Sequence, residues 1–158
     1  MTKLSAVLYT SSCRFPATAA EFESHYRFEA LLRREMGITG VTLFADGNVM
    51  QYMEGEETPL RNVYAATLAR THGAPLELLH ESLQRRLFRD WIMAVYDPSD
   101  IAGELAESTG RWQALYAAAV PPLSETTPFA VLSSFWDSWS RWTPRPAGRS
   151  GQMHSVPA

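Results

Sequence analysis

The hydrophobic pattern in the middle of the chain predicts a β-hairpin. Two apolar runs flank Asp46-Gly47 in the stretch GITGVTLFADGNVMQYMEG, and an Asp-Gly pair between such runs is typical of a tight hairpin turn. Because side chains alternate along a strand, Val49, Gln51 and Met53 share one face. Gln51 therefore places an amide among apolar neighbours, and a buried amide needs partners for its hydrogen-bonding groups.

The remaining patterns predict a β-α-β-β-α-β-β order. The first helix opens with a capping box at 18–21 and ends at Gly37, and the second opens with Thr58-Pro59 and ends before Gly73. Strands are predicted at 3–10, 39–45, 48–54, 76–80 and 90–96. This order is that of an α+β ferredoxin-like sandwich with an added strand.

The last third of the chain predicts a C-terminal two-helix cap. Helices are predicted at 99–119 and 125–141, and the second carries an apolar stripe at spacings of three and four: Phe129, Leu132, Trp136 and Trp139. An exposed stripe of this size is larger than monomers usually tolerate. We expect it to cover the sheet face opposite the first two helices, with a contact between copies of the chain as the alternative. The Pro/Gly/Ser-rich residues 143–158 are predicted to be disordered.

Composition narrows the classes of function. The 158 residues are 46% hydrophobic and 20% charged, as in a globular protein, and the net charge of −3 argues weakly against a nucleic-acid binder. A single cysteine allows no internal disulfide, and the four histidines lack metal-ligand spacing. No apolar run approaches the roughly 18 residues of a membrane span. A cytoplasmic, soluble protein is the expectation.

Polar or redox-capable side chains on the predicted strands are the candidates for chemistry. Tyr9 and Ser11 end the first strand, Gln51 lies on the third, and Trp91 and Met93 lie on the last. The alternative is purely structural, with Tyr9, Trp91 and Met93 in the core and Gln51 at an edge. A scattered catalytic set on this fold also stays open, because the ferredoxin-like fold hosts both enzymes and binding modules.

Three segments together resemble the BLUF family of flavin-based blue-light sensors. They are VLYTSS, GITGVTLFADGNVMQYMEG and RRLFRDWIMAVY, in this order and at these separations. The resemblance covers about residues 3–97, so we expect a BLUF-like domain at 1–97 and a helical cap at 98–142. It implies the sandwich fold, with a flavin, usually FAD, held between the first two helices.

The resemblance also implies roles for individual residues. Tyr9 matches the photoactive tyrosine and Gln51 the switching glutamine, between which light drives electron and proton transfer to the flavin. Trp91 and Met93 match last-strand residues that relay the state, and Ser11 matches a serine close to the flavin.

Three positions depart from the family's pattern. Arg33 stands where the family places an asparagine that holds the pyrimidine edge, and a guanidinium cannot accept the ring N–H. Glu29 stands one turn earlier and forms with Arg33 an i, i+4 acid-to-base pair. His72 of the family's Asp-x-Arg-His pattern is kept, but Ala69 replaces the acid.

The expected function is light sensing without enzymatic activity. We expect FAD as the cofactor, a protein partner at the last strand or the cap, and homo-oligomers, with no nucleic acid and no membrane. The alternative is a flavin-free relative that works as an interaction or assembly module.

Overall fold

The computed structural model describes residues 3–12, 19–69, 74–96 and 103–142. Its elements run in the predicted order and confirm the α+β ferredoxin-like class. They are β1 (Leu4–Ser12), α1 (Ala19–Met36), β2 (Thr39–Ala45), β3 (Asn48–Glu56), α2 (Glu57–Leu68), β4 (Leu76–Leu83), β5 (Trp91–Val95), α3 (Gly103–Ala118) and α4 (Thr127–Trp142). A single 3₁₀ turn, Leu123–Glu125, precedes α4.

The five strands form one sheet in the order β4-β1-β3-β2-β5. All neighbours are antiparallel except β2 and β5, which are parallel. The hairpin closes at Asp46 and Gly47, which both have positive φ, so Ala45 pairs with Asn48. This register places Gln51 of β3 between Thr42 of β2 and Tyr9 of β1.

The sheet face under α1 and α2 carries two adjoining apolar clusters. The first surrounds Tyr9 and Trp91 and takes Leu60 and Val63 from α2. The second surrounds Met93 and joins α1 to α3. Both lie on the face to which Gln51 also points, because Val7 and Tyr9 of β1 and Met53 of β3 alternate onto it.

The opposite face of the sheet is covered by the C-terminal helices, as predicted. Phe129, Leu132 and Trp136 of α4 join Trp112 of α3 in a buried cluster with the side chains that β1, β2, β3 and β5 direct to this face. These three stripe residues are therefore buried within one chain, and the alternative of a contact between copies is wrong for them. Trp139 is half-buried beside Phe135.

Helix α3 also covers the free edge of β5. The hydroxyl of Ser108 accepts a hydrogen bond from the backbone N–H of Met93 at 2.9 Å, and that of Thr109 accepts one from Val95 at 3.2 Å. Glu23 of α1 in turn accepts bonds from the first backbone N–H groups of α3, at 3.1 and 3.2 Å. This edge is thereby satisfied by side chains rather than by another strand.

The other edge of the sheet is different. Within the described ranges β4 pairs with β1 alone, and nearly all of its residues are exposed. Leu76 and Leu78 are 60% and 43% exposed. This edge strand is therefore open to solvent on its outer side in the part of the chain that the structure describes.

The predicted start of α2 was wrong by two residues. The helix begins at Glu57, with Glu56 as its N-cap and without a side-chain cap bond, rather than after Thr58. The N–H of Glu57 donates to the Lys3 carbonyl at 3.0 Å. Pro59 fits the third helical position because the first four N–H groups of a helix lack intrahelical partners.

Two smaller differences concern the ends of elements. Helix α2 ends at Leu68, before the predicted Gly73, and β4 continues to Leu83, past the predicted residue 80. The capping-box residue Thr18, the segment 98–102 and the tail 143–158 lie outside the described residues. Among the helices that are described, none is long and apolar enough to cross a membrane.

Candidate functional site

The side chain of Gln51 is buried and lies between two hydroxyl groups. Its Oε1 accepts a hydrogen bond from the phenol of Tyr9, and its Nε2 donates to Thr42 Oγ1 at 2.9 Å. All three residues are at most 3% exposed. The amide therefore meets the requirement that a buried polar group be hydrogen-bonded.

A second tyrosine covers the phenol of Tyr9. The rings of Tyr9 and Tyr64 lie 5.4 Å apart between centroids, and Tyr64 donates from α2 to Glu77 at 3.0 Å. Burial, followed by the hydrogen bond to Glu77, raises the pKa of Tyr64 to about 12. Tyr64 is thus a neutral hydrogen-bond donor at neutral pH.

Glu29 and Arg33 form an ion pair beneath α1. Their oxygen and nitrogen are 2.9 Å apart, and their side chains are 7% and 1% exposed. Arg33 also donates to Thr67 of α2 at 3.2 Å, and its guanidinium lies 4.8 Å from the ring centre of Trp91 on β5. The pair therefore connects α1, α2 and β5, and it faces the sheet.

Not all predicted site residues meet at this place. Trp91 belongs to the cluster of Tyr9, whereas Met93 lies in the neighbouring cluster with Leu105 of α3. Ser11 is buried near the end of β1. His72 lies outside the described residues, so its predicted role stays a prediction.

We call the region bounded by α1, α2, Tyr9 and Gln51 the cleft. Two buried polar atoms on the sheet face below it have no hydrogen-bond partner among the described residues. They are Ser11 Oγ and the indole nitrogen of Trp91. Such groups are uncommon in folded proteins, because each loses hydration without compensation. They are compatible with a polar ligand.

Sequence reasoning missed Thr42, Tyr64 and Thr67. Thr42 was within reach, because counting back from the Asp46-Gly47 turn pairs it directly with Gln51. Tyr64 and Thr67 carry no such signal, since they reach the site through the packing of α2 on the sheet. The described residues contain no group of three or more His, Cys, Asp or Glu side chains that could hold a metal ion.

The family model that matches residues 4–94 is that of BLUF, described as sensors of blue-light using FAD. The match covers more than half of the chain. The chain belongs to the BLUF family. It is therefore a blue-light sensor module of the BLUF type, and BLUF domains bind flavin.

Solved BLUF structures share the fold. The BLUF protein BlrB, in its dark state, is 20% identical with a TM-score of 0.56, over 87% of this chain and 98% of BlrB. BlrP1 BLUF is 19% identical with a TM-score of 0.61, over 92% of this chain and 98% of its own.

A longer protein, Klebsiella pneumoniae BlrP1 in a calcium and cy-diGMP complex, is 20% identical with a TM-score of 0.64, over 90% of this chain. The match spans 36% of that longer chain. No curated protein matches the sequence.

The residues of the BLUF cleft fit a flavin at all but one place. The hydroxyl–amide–hydroxyl series of Tyr9, Gln51 and Thr42 supplies both donors and acceptors, and the open polar atoms of Ser11 and Trp91 lie on the same sheet face. The exception is the Glu29–Arg33 pair, which spans from α1 to α2. In this structure the pair occupies the place between the helices where the resemblance puts the flavin.

Proposed function

We propose that this BLUF protein senses blue light through FAD held between α1 and α2 and signals to a partner protein through β5 and α3. The observation that carries the proposal is the position of the Gln51 amide between two hydroxyl groups, those of Tyr9 and Thr42. Family membership supplies the kind of cofactor and the kind of stimulus.

The amide of Gln51 has two arrangements in which it is satisfied. In the present one its oxygen accepts from Tyr9 and its nitrogen donates to Thr42. A hydroxyl can both donate and accept, so a half-turn of the amide lets the nitrogen donate to Tyr9 and the oxygen accept from Thr42. Two satisfied arrangements of one buried group constitute a two-state element.

Tyr9 is the residue that would exchange a proton. Its hydroxyl hydrogen already points to Gln51 Oε1, so the amide is positioned to receive it and to return it. Bound FAD would supply absorption of blue light and an acceptor for an electron and a proton. Leu60, Val63 and Trp91 pack around Tyr9 and limit the access of water.

The Glu29–Arg33 pair must open for FAD to enter. Opening breaks the ion pair and the bond to Thr67 and removes the guanidinium from Trp91. FAD affinity is therefore lowered by the free energy of opening, and a protein purified without added FAD is expected to be only partly loaded.

The path from the cleft to a partner runs through β5 and α3. Trp91 lies beside Tyr9, Met93 packs on Leu105, and the Met93 N–H is bonded to Ser108. A change at the cleft that shifts β5 therefore acts on α3 directly. We propose that a partner protein, or a second copy of this chain, binds the last strand or the cap.

The test is an absorption spectrum of protein supplied with FAD, recorded in the dark and after blue light. Wild type is expected to show a reversible shift of the flavin band, and Tyr9→Phe is expected to bind FAD without the shift. Tyr64→Phe is the matched control and should keep the shift, because Tyr64 bonds to Glu77 and not to Gln51. An unchanged shift in Tyr9→Phe would refute the role of Tyr9.

A flavin-free interaction module is the second candidate, and the buried Glu29–Arg33 pair favours it. The double variant Arg33→Asn/Glu29→Ser separates the two functions. Under the main proposal wild type binds added FAD and the double variant binds it more tightly. A wild type that is colourless after saturation with FAD and removal of the unbound FAD, beside a double variant that stays yellow, supports the flavin-free module.

A further inference from the structure

A cavity of about 400 Å³ lies between α1, the start of β2, the segment before β5, and α3. This volume is within the range of small-molecule sites. Neither Tyr9 nor Gln51 nor any residue of α2 lines it. Arg33 and Trp91 do line it, so the cavity adjoins the flavin cleft on the side of α1 that faces away from α2.

The lining of this cavity is strongly basic. Five arginines line it, together with a single acidic residue, Asp90; the arginines are Arg33, Arg34, Arg86, Arg89 and Arg111. The whole chain carries a net charge of −3. The cavity therefore concentrates positive charge, although the chain as a whole is negatively charged.

Most of these arginines are not neutralised by close carboxylates. Arg34 and Arg89 form no ion pair within the described ranges, and Arg111 lies 3.9 Å from the largely exposed Asp90. Arg86 donates to uncharged oxygens, Thr39 Oγ1 at 3.0 Å and the Glu54 carbonyl at 3.3 Å.

Three carboxylates lie close enough to reduce this charge. Asp90 lines the cavity, Glu29 pairs with Arg33, and Glu54 accepts a bond from Thr39, which in turn accepts from Arg86. Five guanidinium groups against three carboxylates leave an excess of two positive charges. A dianion would balance the site.

The indole of Trp91 adds a neutral donor. Trp91 lines the cavity and is 7% exposed, and its nitrogen has no acceptor among the described residues. Guanidinium and indole groups only donate hydrogen bonds, so their complement is a ligand rich in acceptors. Phosphate suits this best, because guanidinium groups bind its oxygens in paired, charge-assisted hydrogen bonds.

We propose that this cavity binds the phosphate group of a small phosphate monoester. The phosphate dianion contacts Arg89, Arg111 and Arg34 at the rim, and the organic part of the ligand extends into the remaining volume beside Tyr26 and Ala30. The site shares Arg33 and Trp91 with the flavin cleft but none of the Tyr9–Gln51 series, so its phosphate contacts, Arg34, Arg89 and Arg111, do not require bound flavin.

Phenyl phosphate is a suitable probe, with phenyl sulfate as a monoanion and phenol as a neutral control. Titration calorimetry on the full chain is expected to show one site that prefers phenyl phosphate over phenyl sulfate and does not bind phenol. Arg89→Gln/Arg111→Gln should weaken binding by about tenfold or more, because two charge-assisted contacts are lost. The control is the double variant Arg27→Gln/Arg61→Gln, which also removes two positive charges, from exposed side chains outside the cavity. It should leave the affinity for phenyl phosphate unchanged within about twofold.

Three results would overturn the site. They are absence of binding at about millimolar probe, equal weakening in both double variants, and competition between phenyl phosphate and FAD. Competition would place the anion in the flavin cleft instead. A protein that binds no flavin but binds phenyl phosphate with the expected variant effects supports the site and leaves only the flavin proposal in doubt.

Discussion

The two faces of the sheet are built on different principles. The face under α1 and α2 buries an amide, two hydroxyls and an ion pair next to its apolar side chains. The face under α4 is filled by aromatic and aliphatic side chains, with Trp112 in contact with Phe129 and Trp136. Apolar packing is non-directional, so it stabilises the fold without selecting between discrete side-chain arrangements. Hydrogen-bonded polar groups are directional, so they can be satisfied in more than one discrete arrangement. One face is therefore held by apolar packing, and the other carries the polar groups on which the proposed switch depends.

Removal of α4 is expected to have the largest effect. Deletion from residue 124 onward exposes the side of the sheet that Phe129, Leu132 and Trp136 now cover. Each of these side chains contributes roughly 2–3 kcal/mol by burial, so the truncated chain should aggregate or melt far below the full chain. Light scattering and thermal unfolding measure both effects. A soluble truncation with an unchanged melting temperature would mean that α4 does not hold the fold.

The ion pair on the other face should respond differently to single and double substitution. Arg33→Met leaves the Glu29 carboxylate buried without its cation, at a cost of about 3–5 kcal/mol, whereas Arg33→Met/Glu29→Leu should recover most of this loss. Denaturant unfolding measures both. The exposed Glu57–Arg61 pair is the control, and Arg61→Met should change stability by less than about 1 kcal/mol. Equal losses in the single and double variants would contradict the buried pair.

A hydroxyl substitution tests the link between the last strand and the cap. Ser108→Ala removes the acceptor of the Met93 N–H and should cost about 1–3 kcal/mol. The exchange of this amide with solvent, measured by NMR, should become faster by one to two orders of magnitude, since exchange follows the local opening free energy. Unchanged protection at Met93 would show that α3 does not seal this edge.

The smallest effect concerns alkaline pH on the cap side. Burial, followed by the nearby Glu54 carboxylate, raises the pKa of Tyr52 far above its ordinary value of 10.0. The native state keeps this proton while the unfolded chain loses it, so stability is fully present below pH 10 and falls above it by up to about 1.4 kcal/mol per pH unit. In Tyr52→Phe the decline above pH 10 should be shallower. Parallel curves for the two proteins would refute this contribution.

The fold was largely predictable because its signals are local. Alternation of apolar residues, the Asp46-Gly47 turn and the stripe on α4 predicted the element order and the covered face. The start of α2 was not predicted correctly. Thr58-Pro59 resembles an N-cap followed by a first helical residue, whereas Pro59 occupies the third position of the helix. A local pattern that predicts a helix correctly can thus still misplace the residue at which the helix begins.

The site was predictable only in part. Tyr9 and Gln51 stood out, the first through the family resemblance and the second as an amide in an apolar run. The role of α3 at the edge of β5 was not predictable from the sequence. Ser108 and Thr109 lie within a helix, where such residues are merely weak helix formers, and their role is visible only once the backbone N–H groups of β5 are seen to bond to them. The basic cavity likewise combines distant segments of the chain, which no local pattern reveals.

The unequal edges of the sheet also limit how copies of this chain can associate by strand pairing. The β5 edge is occupied by the hydroxyls of α3, whereas the described residues leave the outer side of β4 open. A sheet that can be extended at one edge only can join a second sheet by an antiparallel β4–β4 contact, but it offers no further edge to a third. Strand pairing of intact molecules would therefore end at a two-fold symmetric dimer, and a fibre would require α3 to detach first.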